Sequence, residues 1–351
     1  MHVFLSAEDS DPFLLDELRR AAPAANHNLV GTGLITSDLD LRPESPLLLA
    51  FARQALPGAM EAGATSINAW ADRLQEAMIS ALPADQPWLL HVLPRYGGAG
   101  AGANRCRLIV EALRERLQKR RRHLLRRCLA APEPFTTSTS LVQLVLTSPE
   151  QGWRSMAPAP LPQQWRALMS PFPGGHIPPA SDKAAPCRAF AKLVEVEQRL
   201  GRCIVAGETC VDLGASPGSW SYVALRRGAR VTAVDRAPLR DDLMRNRDLR
   251  FHQGDAFSFE PDQPVDWLLC DVIAAPERSI GLVTNWVTRR LARRFVVTIK
   301  FKGAADYPAL DRLKVALPPL CSEFRLSRLC ANHNEACVFG EVLITEASSR
   351  T

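Results

Sequence analysis

The stretch Val211-Asp-Leu-Gly-Ala-Ser-Pro-Gly-Ser-Trp220 decides how this chain of 351 residues is read. Its apolar lead-in, Thr209 to Leu213, has the length of a buried strand. Gly214 and Gly218 then mark a turn that opens a helix with Pro217 near its first position, where a missing N–H costs nothing. Such a turn carries bare backbone N–H groups and a helix N-terminus to the C-terminal edge of a parallel sheet, where ligands bind. The next strand, Arg230 to Val234, ends at Asp235, the place where dinucleotide folds set a carboxylate for ribose hydroxyls. A nucleoside ligand is therefore expected. A nicotinamide fingerprint needs Gly-x-Gly-x-x-Gly so that a pyrophosphate can approach the backbone, and Gly214-Ala-Ser-Pro-Gly218 lacks that triplet. The run suits a ligand without a phosphate.

On these residues the chain resembles the class I S-adenosylmethionine methyltransferases, and more narrowly the FtsJ-like ribose 2'-O-methyltransferases, whose cofactor loop reads Asp-Leu-Gly-x-x-Pro-Gly-Gly-Trp. The resemblance implies an α/β fold: a Rossmann-like sheet, mostly parallel with an antiparallel edge. It also implies that Asp212, Gly214, Ala215, Ser216, Pro217, Gly218, Ser219 and Trp220 form the S-adenosylmethionine loop, with Ser219 standing where the pattern has its second glycine. Asp235 would hold the cofactor ribose, Asp255 the adenine amino group, and Asp271 would border the same pocket. Trp220 is expected to pack the first helix.

The same family uses a Lys-Asp-Lys-Glu tetrad, and each member has a matching position. Lys192 lies in Arg-Ala-Phe-Ala-Lys-Leu before the loop, Asp271 ends Leu-Leu-Cys-Asp, Lys300 ends Val-Val-Thr-Ile-Lys, and Glu335 opens Glu-Ala-Cys-Val-Phe. Two of these positions end apolar strands on the edge where the loop lies, so one pocket can collect all four. A free lysine titrates near about 10.4, and a second cation with partial desolvation favours its neutral form. Lys192 is thus expected to help lower Lys300, the base, while Asp271 and Glu335 orient the amines and the hydroxyl. No metal is expected.

Strands alternate with helices through the C-terminal half: Leu249 to Gln253, Trp267 to Asp271, a helix Ile280 to Arg293, Phe295 to Lys300, and a helix Tyr307 to Leu317. Strands Glu323 to Leu329 and Ala336 to Ile344 close it without a helix between them. That alternation predicts a parallel sheet covered on both faces.

The N-terminal half differs in charge. Residues 1–100 carry twice as many acidic as basic side chains, whereas residues 101–130 hold Arg105, Arg107, Arg114, Arg116, Lys119, Arg120, Arg121, Arg122, Arg126 and Arg127 against Glu111 and Glu115 alone. Clustered arginine is the electrostatic footprint of a nucleic-acid partner, with Arg114, Lys119, Arg120, Arg121 and Arg122 as candidate RNA contacts. Apolar residues at broadly helical intervals predict one helix over Asn104 to Leu129. With a helix Ile67 to Leu82 and strands Trp88 to Leu93, Ser140 to Thr147 and Trp153 to Met156, the element order resembles the THUMP domain of RNA-modifying enzymes. Earlier residues predict strands Val3 to Ser6 and Leu29 to Thr36 around a helix Pro12 to Ala21.

The expected organisation is an N-terminal α+β segment, 1–60; a THUMP-like α+β domain, 61–160; a Pro, Gly and Ser-rich linker, 161–186, containing Met169-Ser-Pro-Phe-Pro-Gly-Gly-His-Ile-Pro178; and the methyltransferase domain, 187–351. Taken whole, the chain resembles the FtsJ-like type that methylates a cytidine ribose of large-subunit ribosomal RNA. A related enzyme acting on another RNA, or a module that binds S-adenosylmethionine and RNA without catalysis, would share much of this pattern. Base methylation of the amino-group type calls for an Asn-Pro-Pro-Tyr motif, and Asp271-Val-Ile-Ala stands there instead. Nine cysteines without a Cys-x-x-Cys pair and seven scattered histidines indicate neither a disulfide framework nor a zinc site. No apolar run approaches the roughly 18 residues of a membrane span. A cytoplasmic protein with reduced core cysteines is expected.

Overall fold

The computed structural model describes residues 1–40, 47–98, 100–130 and 138–343. Two compact units divide it between Ile177 and Pro178.

The first unit holds two four-stranded sheets. One is built from β1 (His2–Ser6), β2 (His27–Gly31), β3 (Leu34–Ser37) and β4 (Ala52–Leu56), in the order β2-β3-β1-β4, with helix α1 (Asp11–Ala21) between β1 and β2. The single strand predicted over Leu29 to Thr36 is instead the hairpin β2-β3, because Gly33 takes a positive φ of 73° and reverses the chain. The second sheet runs β5-β8-β7-β6 and contains β5 (Met60–Gly63), β6 (Trp88–Pro94), β7 (Ser140–Leu146) and β8 (Gln151–Ala157). Here β6 and β7 are parallel, and β7 is buried along its whole length.

Helices α2 (Ile67–Ala81) and α3 (Ala103–Arg120) belong to this second half of the unit. Helix α3 turns Ile109, Leu113 and Leu117 into the core with Trp70 and Leu74 of α2. It stops earlier than predicted: Arg121 leaves helical geometry at φ −146°, and a separate turn, Arg122–Leu125, restarts to bury Leu124. The stretch read as a linker is partly structural, since Leu161, Leu168, Met169 and Ile177 are buried and the Ala55 N–H donates to the Leu168 carbonyl.

The second unit is built on one seven-stranded sheet, ordered β11-β10-β9-β12-β13-β15-β14. Its strands are β9 (Thr209–Leu213), β10 (Arg230–Asp235), β11 (Leu249–Gln253), β12 (Val265–Cys270), β13 (Ala292–Lys300), β14 (Cys321–Ser327) and β15 (Glu335–Val342). Ile344, placed in the last strand by the sequence, lies outside the described residues. Helix α4 (Phe190–Leu200) precedes β9, α5 (Ser219–Arg226) follows it, α6 (Pro276–Thr288) joins β12 to β13, and α7 (Leu310–Ala316) precedes β14. The inner strands are near-continuous apolar runs, as a parallel sheet covered on both faces requires. The antiparallel strand is β15, inserted between β13 and β14 rather than lying at the outer edge.

This order sets the site. The chain runs outward from β9 through β10 to β11, then returns to place β12 on the other side of β9. The crevice at such a reversal, beyond the strands' C-terminal ends, is where open α/β sheets bind ligands. Gly214, Asp235 and Asp271 all stand at those ends.

Candidate active site

The antiparallel pairing of β13 with β15 puts Lys300, the last residue of one, directly opposite Glu335, the first of the other. Asp271 follows β12 on the neighbouring strand, and Lys192, in the first turn of α4, reaches both carboxylates. Its Nζ donates to each Asp271 oxygen at 3.0 Å and lies 2.7 Å from Glu335 Oε1. The Lys300 ammonium donates to the Asp271 carbonyl at 2.8 Å and sits 3.2 Å from Asp271 Oδ1. All four tetrad positions therefore converge.

The two lysines are not equivalent. The Lys192 side chain is 9% exposed and that of Lys300 is 23% exposed. Burial pulls the Lys192 amine down, but Asp271 and Glu335 outweigh it and hold Lys192 above the ordinary lysine range. It stays charged at neutral pH. The Asn332 side-chain amide donates to Glu335 Oε1 at 3.0 Å and fixes that carboxylate's rotamer. Sequence reasoning missed Asn332, whose only signal is its place three residues before Glu335.

The cofactor loop is split between an outer and an inner face. Outward, Gly214, Asp235 and Asp255 line a pocket of about 210 Å³ with Arg236, Gly254, Ala256, Phe257, Val272, Ile273 and Arg278. Asp235 accepts the Ser216 N–H on Oδ2 and the Ala237 N–H on Oδ1, each at 2.9 Å. Each oxygen keeps a further lone pair for a hydroxyl. Asp255 accepts the Phe257 N–H at 3.1 Å, which, ahead of its ion pair with Arg236, holds its carboxyl below the usual range. The Arg278 guanidinium stacks 3.9 Å over the Phe257 ring, and this wall had no motif to announce it. Carboxylates beside a half-apolar, aromatic-walled recess fit a nucleoside.

Inward, three expected cofactor contacts do other work. Asp212 is buried and accepts both the Ser221 N–H and hydroxyl, at 2.8 and 2.7 Å, so it caps the first turn of α5. Ser219 is buried and its hydroxyl bonds the backbone of Cys187. Trp220 is buried in the core, its indole N–H donating to the Ala189 carbonyl. Helix α5 begins at Ser219 with Gly218 as its N-cap, so Pro217 precedes the helix rather than opening it. Gly218 sits at φ 108°, and a Cβ there would come 2.3 Å from Leu243 Cδ1. Ala215 is also buried, while Ser216 and Pro217 stay on the outer side of the loop.

Burial pushes the Asp212 carboxyl up to about 7, against the pull of its Ser221 bonds. A carboxyl raised in the folded state adds stability that is complete below its unfolded pKa and is lost as pH rises through the folded one. Wild-type stability should thus decline from the ordinary carboxylate range to about pH 7, by a few kcal/mol at most. Asp212→Asn keeps an acceptor for Ser221 and should remove that decline. Parallel stability-against-pH curves for the two proteins would contradict it.

Residues 185–300 match the FtsJ-like methyltransferase family. This segment is an FtsJ-like methyltransferase domain. Its sheet is the class I S-adenosylmethionine methyltransferase sheet expected from the sequence. The protein named Ribosomal RNA large subunit methyltransferase M from Pseudomonas putida (strain GB-1) is 38% identical over 141 residues, covering 37% of this chain and 39% of that one. Its namesake from Stutzerimonas stutzeri (strain A1501) is 35% identical over 137 residues, 37% of this chain and 39% of the relative. That of Azoarcus sp. (strain BH72) is 34% identical over 151 residues, 41% and 42% of the two chains. The alignments span about two fifths of each relative's length.

Of the predicted RNA contacts in the first unit, Arg114, Lys119, Arg120, Arg121 and Arg122 are all exposed. Arg116 pairs with Asp72 of α2 and Arg107 with Glu111. All nine cysteines are free, but only Cys106, Cys210, Cys270 and Cys337 are core residues, Cys187 and Cys203 being exposed. Among the described residues no cluster of His, Cys, Asp and Glu could hold a metal, and no helix is long and apolar enough to cross a membrane.

Proposed function

We propose that this protein transfers a methyl group from S-adenosylmethionine to a ribose 2'-hydroxyl of large-subunit ribosomal RNA, at a cytidine, in a cytoplasmic setting. The observation that carries this reading is the convergence of Lys192, Asp271, Lys300 and Glu335 beside the nucleoside-fitting pocket. The named relatives support the choice of RNA.

When bound, S-adenosylmethionine supplies an electrophilic methyl group; Asp235 and Asp255 would hold its nucleoside. The residues around it have separate tasks. A ribose hydroxyl is a poor nucleophile until its proton is removed, and a positioned base is the remedy. Lys192 and Lys300 both touch Asp271 Oδ1. Because Lys192 has two carboxylates and Lys300 shares only one, Lys300 is the amine that takes the 2'-proton. Its contacts with the Asp271 carbonyl and carboxylate hold it in place. Glu335, held by Asn332 and Lys192, completes the counter-charge and aligns the amines.

Two experiments test the two halves of the reading. In calorimetry of the whole protein, Asp235→Ala should weaken S-adenosylmethionine binding by about 1 to 3 kcal/mol, the scale of hydrogen bonds to a charged group. Equal affinity would remove Asp235 from the site. Replacing Arg120, Arg121 and Arg122 with Gln should weaken RNA binding without touching cofactor affinity. Each lost single-strand phosphate contact should lower the log-log salt slope by about 0.7. An unchanged slope would make the arginine cluster a solvated surface.

A further inference from the structure

A cleft of about 520 Å³ in the first unit is lined by five separated segments, one of them the turn after β1. Arg53 comes from β4, Arg95 from the residue after β6, Gly33 from the β2-β3 turn, and His176 from the Phe172-Pro-Gly-Gly-His176 segment that the sequence reading left without a role. The assembly is built rather than incidental. Gly175 lies so close to β4 that an added Cβ would come 2.0 Å from the Arg53 carbonyl oxygen, which fixes the His176 segment against Arg53. Arg53 Nη1 lies 3.5 Å from His176 Nδ1.

Two guanidinium groups placed together inside a cleft repel and lose hydration, a cost that a bound anion removes. Burial first, and then Arg53, presses Arg95 below the usual arginine range, Asp11 opposing. Asp11, which lines the same cleft, has both oxygens engaged: one accepts from the Ser6 hydroxyl and the other from the Gly33 N–H at 2.9 Å. Among the described residues neither Arg53 nor Arg95 forms an ion pair, and the buried Arg53 Nε has no hydrogen-bond partner. Glu8 and Asp9, both exposed, also line the cleft with Asp11, so an anion seated there must be held by the two guanidinium groups themselves rather than by the overall charge of the cleft.

We infer that this cleft seats a backbone phosphate of single-stranded RNA on the Arg53 and Arg95 guanidinium groups, a second nucleic-acid contact apart from the arginine helix. The inference rests on the RNA reading proposed above. A planar guanidinium fork matches phosphate oxygens two at a time. The volume exceeds what one phosphate needs, and it leaves room for the adjoining sugar and base.

The test is fluorescence anisotropy of a short, end-labelled, single-stranded RNA of mixed sequence with the full chain, across a salt series. The double variant Arg53→Gln/Arg95→Gln should bind about tenfold more weakly and lose about 1.4 from the salt slope, two contacts' worth. The variant Arg53→Lys/Arg95→Lys keeps the charge, so it should retain the slope while losing part of the affinity that the paired fork supplies. This second variant separates a phosphate contact from a folding defect, since misfolding would change both alike. Wild-type affinity and slope in the Gln variant would overturn the cleft assignment alone. Inorganic phosphate binding that is lost in the Gln variant, with RNA affinity unchanged, would assign the cleft to a small anion and equally overturn it. Failure of the wild-type protein to bind RNA would instead overturn the RNA reading itself.

Discussion

Lys300→Ala should cut single-turnover methyl transfer by about 10²- to 10⁴-fold, the usual worth of a general base, while leaving S-adenosylmethionine affinity nearly intact. The base acts on the hydroxyl, and the Lys300 amine lies on the Asp271 side of the site, outside the set of residues that lines the nucleoside pocket. Lys300→Arg sharpens the test, because arginine keeps the positive charge but cannot be deprotonated in proteins. It should stay as inactive as the alanine variant. Substantial activity in the arginine variant would make Lys300 an orienting cation, and substantial activity in the alanine variant would remove it from the chemistry.

Lys192→Met should destabilise the folded protein by about 3 to 5 kcal/mol at neutral pH, the cost of removing one partner from a buried charge cluster. The Nζ of Lys192 is the group through which Asp271 and Glu335 tolerate each other, and its side chain is 9% exposed. Denaturant unfolding measures the loss. Adding Glu335→Gln to the variant removes one uncompensated carboxylate and should recover part of it. A cost below about 1 kcal/mol, typical of solvent-screened pairs, would mean that water reaches the tetrad.

Asp271 and Lys300 were legible because each stands where an apolar run stops, and strand ends on one edge of a parallel sheet must be neighbours, whereas Lys192 in the first turn of α4 and Glu335 at the start of β15 were placed by the family pattern. The Lys300 and Glu335 pairing follows directly from the register of β13 on β15. The loop was less legible. A motif names its residues in a row, but the strand turns every second side chain inward and the following helix turns a stripe of neighbouring side chains inward. Asp212, Ser219 and Trp220 went inward for that reason, to a helix cap, a backbone bond and the core. The pocket wall of Phe257, Ile273 and Arg278 comes from segments with no periodic signal of their own. In the first unit, Thr32 and Gly33 were hidden inside an apolar run that read as one strand. The buried Leu161, Leu168, Met169 and Ile177 were masked by the prolines and glycines around them.

The most direct test is the chemical position of the methyl group. Large-subunit ribosomal RNA incubated with the protein and S-adenosylmethionine, then digested to nucleosides and resolved by mass spectrometry, should yield a nucleoside methylated on its ribose, 2'-O-methylcytidine. Methyl on a base, or unmodified RNA from a protein that binds S-adenosylmethionine normally, would contradict the assignment of Lys192, Asp271, Lys300 and Glu335 to ribose methylation.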